Sequence, residues 1–260
     1  MWHLLYERLP ELWRLIVEDY ATQDIKWQSI LGERVFPCLT RYQETIPIIG
    51  SALAEQIPAI FHQAATIAEV SDTLFVIYVG LGNGAGWQTT LLGKPAVLFG
   101  VEGIAESGWV DARTLGPLIA HEIGHVVQHQ WREGLSVTQD SGPYWQLFEE
   151  GFAQLLEHSI MGRDTWHESS TQPGWVDWCT NNRGLLARRF LGLVDSGKTV
   201  RSLFGSWYDV CGYRQCGYFL GHEVVKCMSR TVSLKRLATM GADQFADEAR
   251  EILQAWAHEH

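Results

Sequence analysis

No apolar run in this chain reaches the roughly eighteen residues that a membrane-spanning helix needs, so a substrate met inside a bilayer is not expected. Basic charge is also scarce, with 20 Lys and Arg against 30 Asp and Glu and a formal net charge of −10. The basic residues stand singly or in pairs such as Arg188-Arg189 and Lys235-Arg236. No stripe exists to follow a phosphate backbone, and nucleic acid is not an expected partner. The five cysteines, Cys38, Cys179, Cys211, Cys216 and Cys227, are irregularly spaced and contain no C-x-x-C pair, which removes zinc ribbons and dithiol redox motifs. Cys211 and Cys216 read as small buried hydrophobes. The amino terminus lacks a basic stretch followed by an apolar run, so the expected compartment is reducing and cytoplasmic. Repeats and low-complexity tracts are missing too, and 46% hydrophobic against 19% charged residues is a globular rather than a disordered composition.

What is present begins with helix. Apolar residues at Leu5, Leu9, Leu12, Trp13, Ile16 and Val17 have the spacing of an amphipathic helix over 2–20, interrupted by Pro10. A second helix is expected over 48–67. The texture then changes. Leu74-Phe75-Val76-Ile77-Tyr78-Val79 is β-branched and aromatic and runs into the glycine-rich segment 80–86, which reads as a buried strand followed by a flexible turn. The glycines match neither a dinucleotide fingerprint nor a phosphate loop. A second strand is expected over 95–101. Helical patterns follow over 114–133, 143–161, 174–193, 212–229 and 242–258. Strands first and helices afterwards predict an α+β architecture in one domain, with a helical scaffold over 1–68, a core over 70–225 and carboxy-terminal helices over 226–260. The twelve tryptophans are read as core anchors.

The chemistry lies in His121-Glu122-Ile123-Gly124-His125. Histidines four apart on a helix share one face with Cβ atoms about 5–6 Å apart, close enough for both imidazoles to reach one ion. Glu122 is rotated off that direction yet stays near enough to serve as a base. Leu118, Ile119, Ile123, Val126 and Val127 bury the helix. Gly124 costs about 1 kcal/mol relative to Ala in a helix interior, and a close approach by another backbone explains it. A zinc hydrolase needs a third protein ligand. Glu149-Glu150-Gly151-Phe152-Ala153 supplies it on a downstream helix, where only one of two adjacent carboxylates can face the ion. The bland alternative, an accidental pair of histidines in a helical structural protein, predicts no bound metal.

With Glu150-Gly151-Phe152-Ala153 following the histidine helix, the chain resembles the gluzincin metallopeptidases. More narrowly, residues 70–225 look like the YjaZ-like family of predicted zinc-dependent proteases, the late Gly217-Tyr218-Phe219-Leu220-Gly221-His222 included. The resemblance implies a thermolysin-like zincin core and one zinc ion held by His121, His125 and Glu150. It also implies peptide-bond hydrolysis, with Glu122 as general base and a peptide or protein as substrate. Tyr218 or His222 is the expected donor to the oxyanion, with Tyr213 a weaker choice. In such enzymes an edge strand pairs with extended substrate, which here would place substrate along 98–101. His129 and His158 are left outside the ligand set. A non-catalytic protein that keeps the fold and the metal is the competing function, and an intact Glu122 weighs against it.

Overall fold

The computed structural model describes residues 9–22, 26–135 and 142–258. It is α+β and mostly helical, with a three-stranded mixed sheet. Two compact units emerge, Met1–Glu122 and Ile123–His260. The boundary falls inside one continuous helix.

The first unit opens with α1 (Pro10–Thr22). Pro10 takes the first helical position, where its missing N–H costs nothing. The expected turns before it lie outside the described residues. Short helices α2 (Trp27–Ile30) and α3 (Phe36–Arg41) flank a π-helical turn, and α4 (Thr45–Ala65) follows. Strands β1 (Leu74–Tyr78), β2 (Gly86–Leu91) and β3 (Lys94–Gly100) come next. β1 and β3 are parallel, β2 and β3 antiparallel, and the order is β1-β3-β2.

The pleat sends alternate side chains to opposite faces. Ala96 and Leu98 pack with Leu12, Ile16 and Tyr20 of α1. On β1, Phe75 meets Phe61 of α4 edge to face at 5.6 Å, and Ile77 lies 3.8 Å from the Cβ position of Gly50. Helices therefore cover both faces, which is why Ala96, Val97, Leu98 and Phe99 are an unbroken apolar run with no exposure.

Two expectations about the sheet are corrected. The hairpin strand β2 went unread, because its turn is Leu92-Gly93 with φ of +53° and +72°. A two-residue turn of this kind usually carries Asn-Gly or Asp-Gly. As a result β3 is the central strand with both edges paired, so substrate cannot add along 98–101. The short helix α5 (Val101–Ser107) also separates β3 from the histidine helix.

The histidine helix α6 (Ala112–Arg132) starts where the Asp111 carboxylate accepts the Arg113 N–H at 2.9 Å, satisfying one of the open donors of the first turn.

In the second unit, α7 (Pro143–Met161) ends in a left-handed Gly162, the usual conformation just past a helix end. A 3-10 turn (His167–Thr171) leads to α8 (Trp175–Asn181) and α9 (Arg183–Asp195), so the helix expected over 174–193 is broken at Asn182. After α10 (Arg201–Phe204), a small hairpin of β4 (Asp209–Val210) and β5 (Tyr213–Arg214) occupies the start of the helix expected from 212. Cys211 sits exposed in its turn with φ +54°, contrary to the expected burial, whereas Cys216 is buried. Then come α11 (Cys216–Ser229), α12 (Leu234–Ala238) and α13 (Ala242–Ala257). Phe148, Phe190 and Phe245 fill the core of this unit, and Phe148 stacks on Phe245 at 4.3 Å. Among the described residues no helix is long and apolar enough to cross a membrane.

Candidate metal centre

Leu115, Leu118, Ile119, Ala120, Ile123, Val126 and Val127 are buried around α6, so the helix is held on nearly every side. His121 is 2% exposed and Glu122 5%. One ligand atom each from His121, His125 and Glu150 lies within 4.8 Å of the others. The His125 Nε2 to Glu150 Oε2 distance is 3.5 Å. Donors in a tetrahedral zinc shell, each about 2.0–2.1 Å from the ion, stand about 3.3 Å from one another. The His125–Glu150 separation is of that order, and two imidazoles and a carboxylate are a donor set that could hold a metal ion. The side chains of His125 and Glu150 keep 19% and 20% exposure, leaving a solvent-facing side on which a fourth ligand can enter.

Backbone approaches that only glycine permits surround the second-unit part of the centre. A Cβ on Gly124 would lie 2.8 Å from Cα and 3.0 Å from the carbonyl oxygen of Ala153. This is the close backbone approach that a glycine inside the motif called for, and it brings in the helix that carries Glu150. Gly151 in turn meets Gly221 of α11, whose Cα would stand 2.9 Å from a Gly151 Cβ. The Glu-Gly pair therefore serves two neighbours at once: the glutamate faces the histidines while the glycine admits α11. Burial raises the carboxyl of the adjacent Glu149 above its ordinary value, with His125 pulling in the opposite direction.

Glu122 is seated on β2. A Cβ on Gly86 would come within 2.5 Å of Glu122 Oε1 and 2.9 Å of its Cγ, so the carboxylate lies flat against a residue with no side chain. The 80–86 loop leading into Gly86, expected as a flexible turn, is tied down along its length. Glu102, 3% exposed, accepts the N–H of Gly80 at 2.8 Å and of Gly82 at 3.1 Å. The Leu81 carbonyl accepts the Tyr20 hydroxyl at 2.5 Å, and Asn83 Nδ2 donates to the Ile16 carbonyl at 3.2 Å. Gly100 N–H donates to the Ala85 carbonyl at 3.0 Å. Burial pushes the Glu102 carboxyl up, and the two glycine N–H groups oppose that. The sequence reading missed Glu102 and Gly86. The one available signal was a carboxylate alone among apolar residues and glycines at 95–105.

The two candidate oxyanion donors have different surroundings. Tyr218 is half-buried, its ring edge to face with Phe204 at 5.6 Å. His222 is 1% exposed, 4.5 Å from the His158 ring and 5.0 Å from Trp166, with Nδ1 3.2 Å from Glu223 Oε1. Tyr213 stacks on Trp178 at 4.8 Å. His129 is exposed.

His158 belongs to a buried polar cluster in the second unit. Its Nε2 is 2.6 Å from the Thr165 carbonyl, and Thr165 Oγ1 donates to Glu157 Oε1 at 2.6 Å. The same Nε2 lies 3.0 Å from Gln154 Nε2, which itself donates to the Thr165 carbonyl at 2.9 Å. His167 Nδ1 lies 3.3 Å from Glu157 Oε2, and its Nε2 lies 3.6 Å from Glu168 Oε1. Burial, reinforced by His222, lowers His158 from 6.5 to about 4. Among the described residues, the His121, His125 and Glu150 group is the one whose donor atoms converge closely enough for a metal.

The class defined so far is an α+β protein with a three-ligand site able to hold a metal ion. No protein-family model, curated protein or solved structure matches the chain. Any narrower assignment rests on the site itself.

Proposed function

We propose that the chain is a zinc-dependent peptidase of the gluzincin type, with zinc held by His121, His125 and Glu150. The observation that carries the proposal is the convergence of these three donors beside a buried glutamate one residue from the first histidine. A purely structural metal site has no use for that glutamate, and is usually closed by a fourth protein ligand.

Zinc bound there would polarise the scissile carbonyl and make a water acidic enough to attack near neutral pH. Glu122 takes the proton from the attacking water and passes it to the leaving nitrogen. Its seat on Gly86 fixes the carboxylate, so little reorganisation is needed as the proton moves. β2 is an edge strand that begins at that seat, so an extended substrate adds along β2 by β-augmentation. Tyr218 or His222 is the proposed oxyanion donor, Tyr218 being the more exposed of the two.

The test is Glu122→Gln. This variant is expected to bind zinc as the parent does and to lose peptide hydrolysis by a factor of about 10³ or more. Undiminished turnover would remove Glu122 from the mechanism. Zinc bound by the parent without cleavage across a broad peptide library would favour a binding module on the same fold.

A further inference from the structure

We infer that Glu102 is a positioning residue for Glu122, acting through the 80–86 loop; the inference rests on the role proposed for Glu122 as the base. The argument is mechanical. Both Glu102 carboxylate oxygens are committed to the start of the loop, Oε2 to the N–H of Gly80 at 2.8 Å and Oε1 to that of Gly82 at 3.1 Å. Further along, the Gly84 carbonyl oxygen rests on the corner between β3 and α5, 2.5 Å from where a Gly100 Cβ would be and 3.0 Å from where a Gly103 Cβ would be. The Ala85 carbonyl is bonded to Gly100 N–H. Two residues after Gly84 the chain reaches Gly86, in van der Waals contact with the Glu122 carboxylate. The loop is thus clamped at its start by Glu102, bedded on two glycines beside it, and ends against the base.

A purely structural clamp would not require this residue. A buried carboxylate is costly to keep ionised, and a neutral amide could accept at least one of the same N–H groups. What the carboxylate adds is a second acceptor oxygen, so that one buried side chain holds the N–H groups of both Gly80 and Gly82. Gly86 is the first paired residue of β2, opposite Phe99, so a loop free to move at 80–85 would loosen the end of the strand on which Glu122 rests and let the base occupy other rotamers. Positioning errors of about 1 Å at a reacting group cost roughly a hundredfold in rate, so a stiff seat has catalytic value.

The experiment compares Glu102→Ala and Glu102→Gln with the parent protein, full length and both with and without zinc. The first reading is the carboxylate ¹³C resonance of Glu122, assigned through Glu122→Gln, together with amide exchange of the 80–86 loop. Glu102→Ala is expected to shift or broaden the Glu122 resonance and to speed exchange at Gly80 and Gly82 by about tenfold or more. Exchange in α6 and zinc content should be unchanged. Glu102→Gln, with one acceptor left, should fall between parent and alanine variant. The second reading is kinetic: kcat is expected to fall by about tenfold or more while KM stays within about threefold. A Glu122 resonance that stays in place in Glu102→Ala, or an unchanged kcat, overturns the inference. If Glu102→Ala fails to fold, the same readings on Glu102→Gln decide. If the parent cleaves no peptide, the proposed peptidase activity falls and the resonance and exchange readings alone judge the role of Glu102.

Discussion

Gly124→Ala is the substitution in which packing and metal binding are most tightly joined. In an unconstrained helix interior the change stabilises by about 1 kcal/mol. Here the added Cβ would lie 2.8 Å from Ala153 Cα and 3.0 Å from its carbonyl oxygen, whereas unstrained heavy-atom contacts are about 3.5–4.0 Å. Both partners are backbone, so no side chain can swing aside. α6 and α7 must part by about half an ångström or more, and overpacking of this kind costs about 1–3 kcal/mol. The expected net result is destabilisation of about 1–2 kcal/mol once the helix-propensity gain is included. The displacement also has a direction. Glu150 lies three residues before Ala153 on α7, so separating the helices draws it away from the histidines, and metal–ligand distances tolerate only about 0.2 Å. Zinc affinity should fall by about tenfold or more, as it does for comparable disturbances around metal ligands. Gly192→Ala is the control. Gly192 is an exposed helical position in α9 with nothing within 4 Å of the added Cβ, so alanine should stabilise by about 0.5–1 kcal/mol. Denaturant unfolding of metal-free protein and competitive zinc titration give the two numbers. A Gly124→Ala protein as stable as Gly192→Ala, with parental zinc affinity, would refute the close-approach argument.

Further outcomes follow from the same geometry. Gly86→Ala drives a methyl into the Glu122 carboxylate, so hydrolysis should drop at least about tenfold while zinc stoichiometry stays at the parental value; unaffected turnover would mean the seat is irrelevant. His158 is held near 4 against an ordinary 6.5, so the unfolded chain binds a proton that the native chain refuses between those values. Stability contributed by neutral His158 is complete above about pH 6.5 and is lost on acidification towards pH 4, by about 3 kcal/mol in all. Urea titrations at several pH values on the parent and on His158→Gln should show a slope in the first that is reduced in the second; parallel pH profiles would contradict it. Leu92 is exposed with φ +53°, so Leu92→Asn in the β2–β3 turn should raise stability by about 0.5–1 kcal/mol, and a lowered melting temperature would argue against the turn geometry.

The parts of the fold legible beforehand are those that periodicity dictates. The strand 74–78, the strand ending at Gly100 and the helices carrying His121 and Glu150 lie close to where the apolar patterns put them. The histidine spacing and the Glu-Gly pair identified the three donors because ligand chemistry fixes residue type and spacing together. Gly124 and Gly151 were informative for a related reason: glycine inside a helix is costly, and here each cost is matched by a backbone contact. What escaped notice depends on tertiary context. β2 has Leu-Gly at its turn and only intermediate burial along most of its length, so neither turn chemistry nor alternation marks it, and missing it turned a central strand into an apparent edge. Glu102 and His158 are polar groups with partners that lie outside their own elements, Gly80 and Gly82 for the first and Thr165 and His222 for the second. No local pattern encodes such pairings.

The central claim is most directly tested by peptide hydrolysis by the purified protein in the presence of one equivalent of zinc, before and after removal of the metal with a chelator. The account predicts cleavage that disappears with the metal and returns when zinc is restored. Cleavage that persists undiminished in metal-free protein would contradict it.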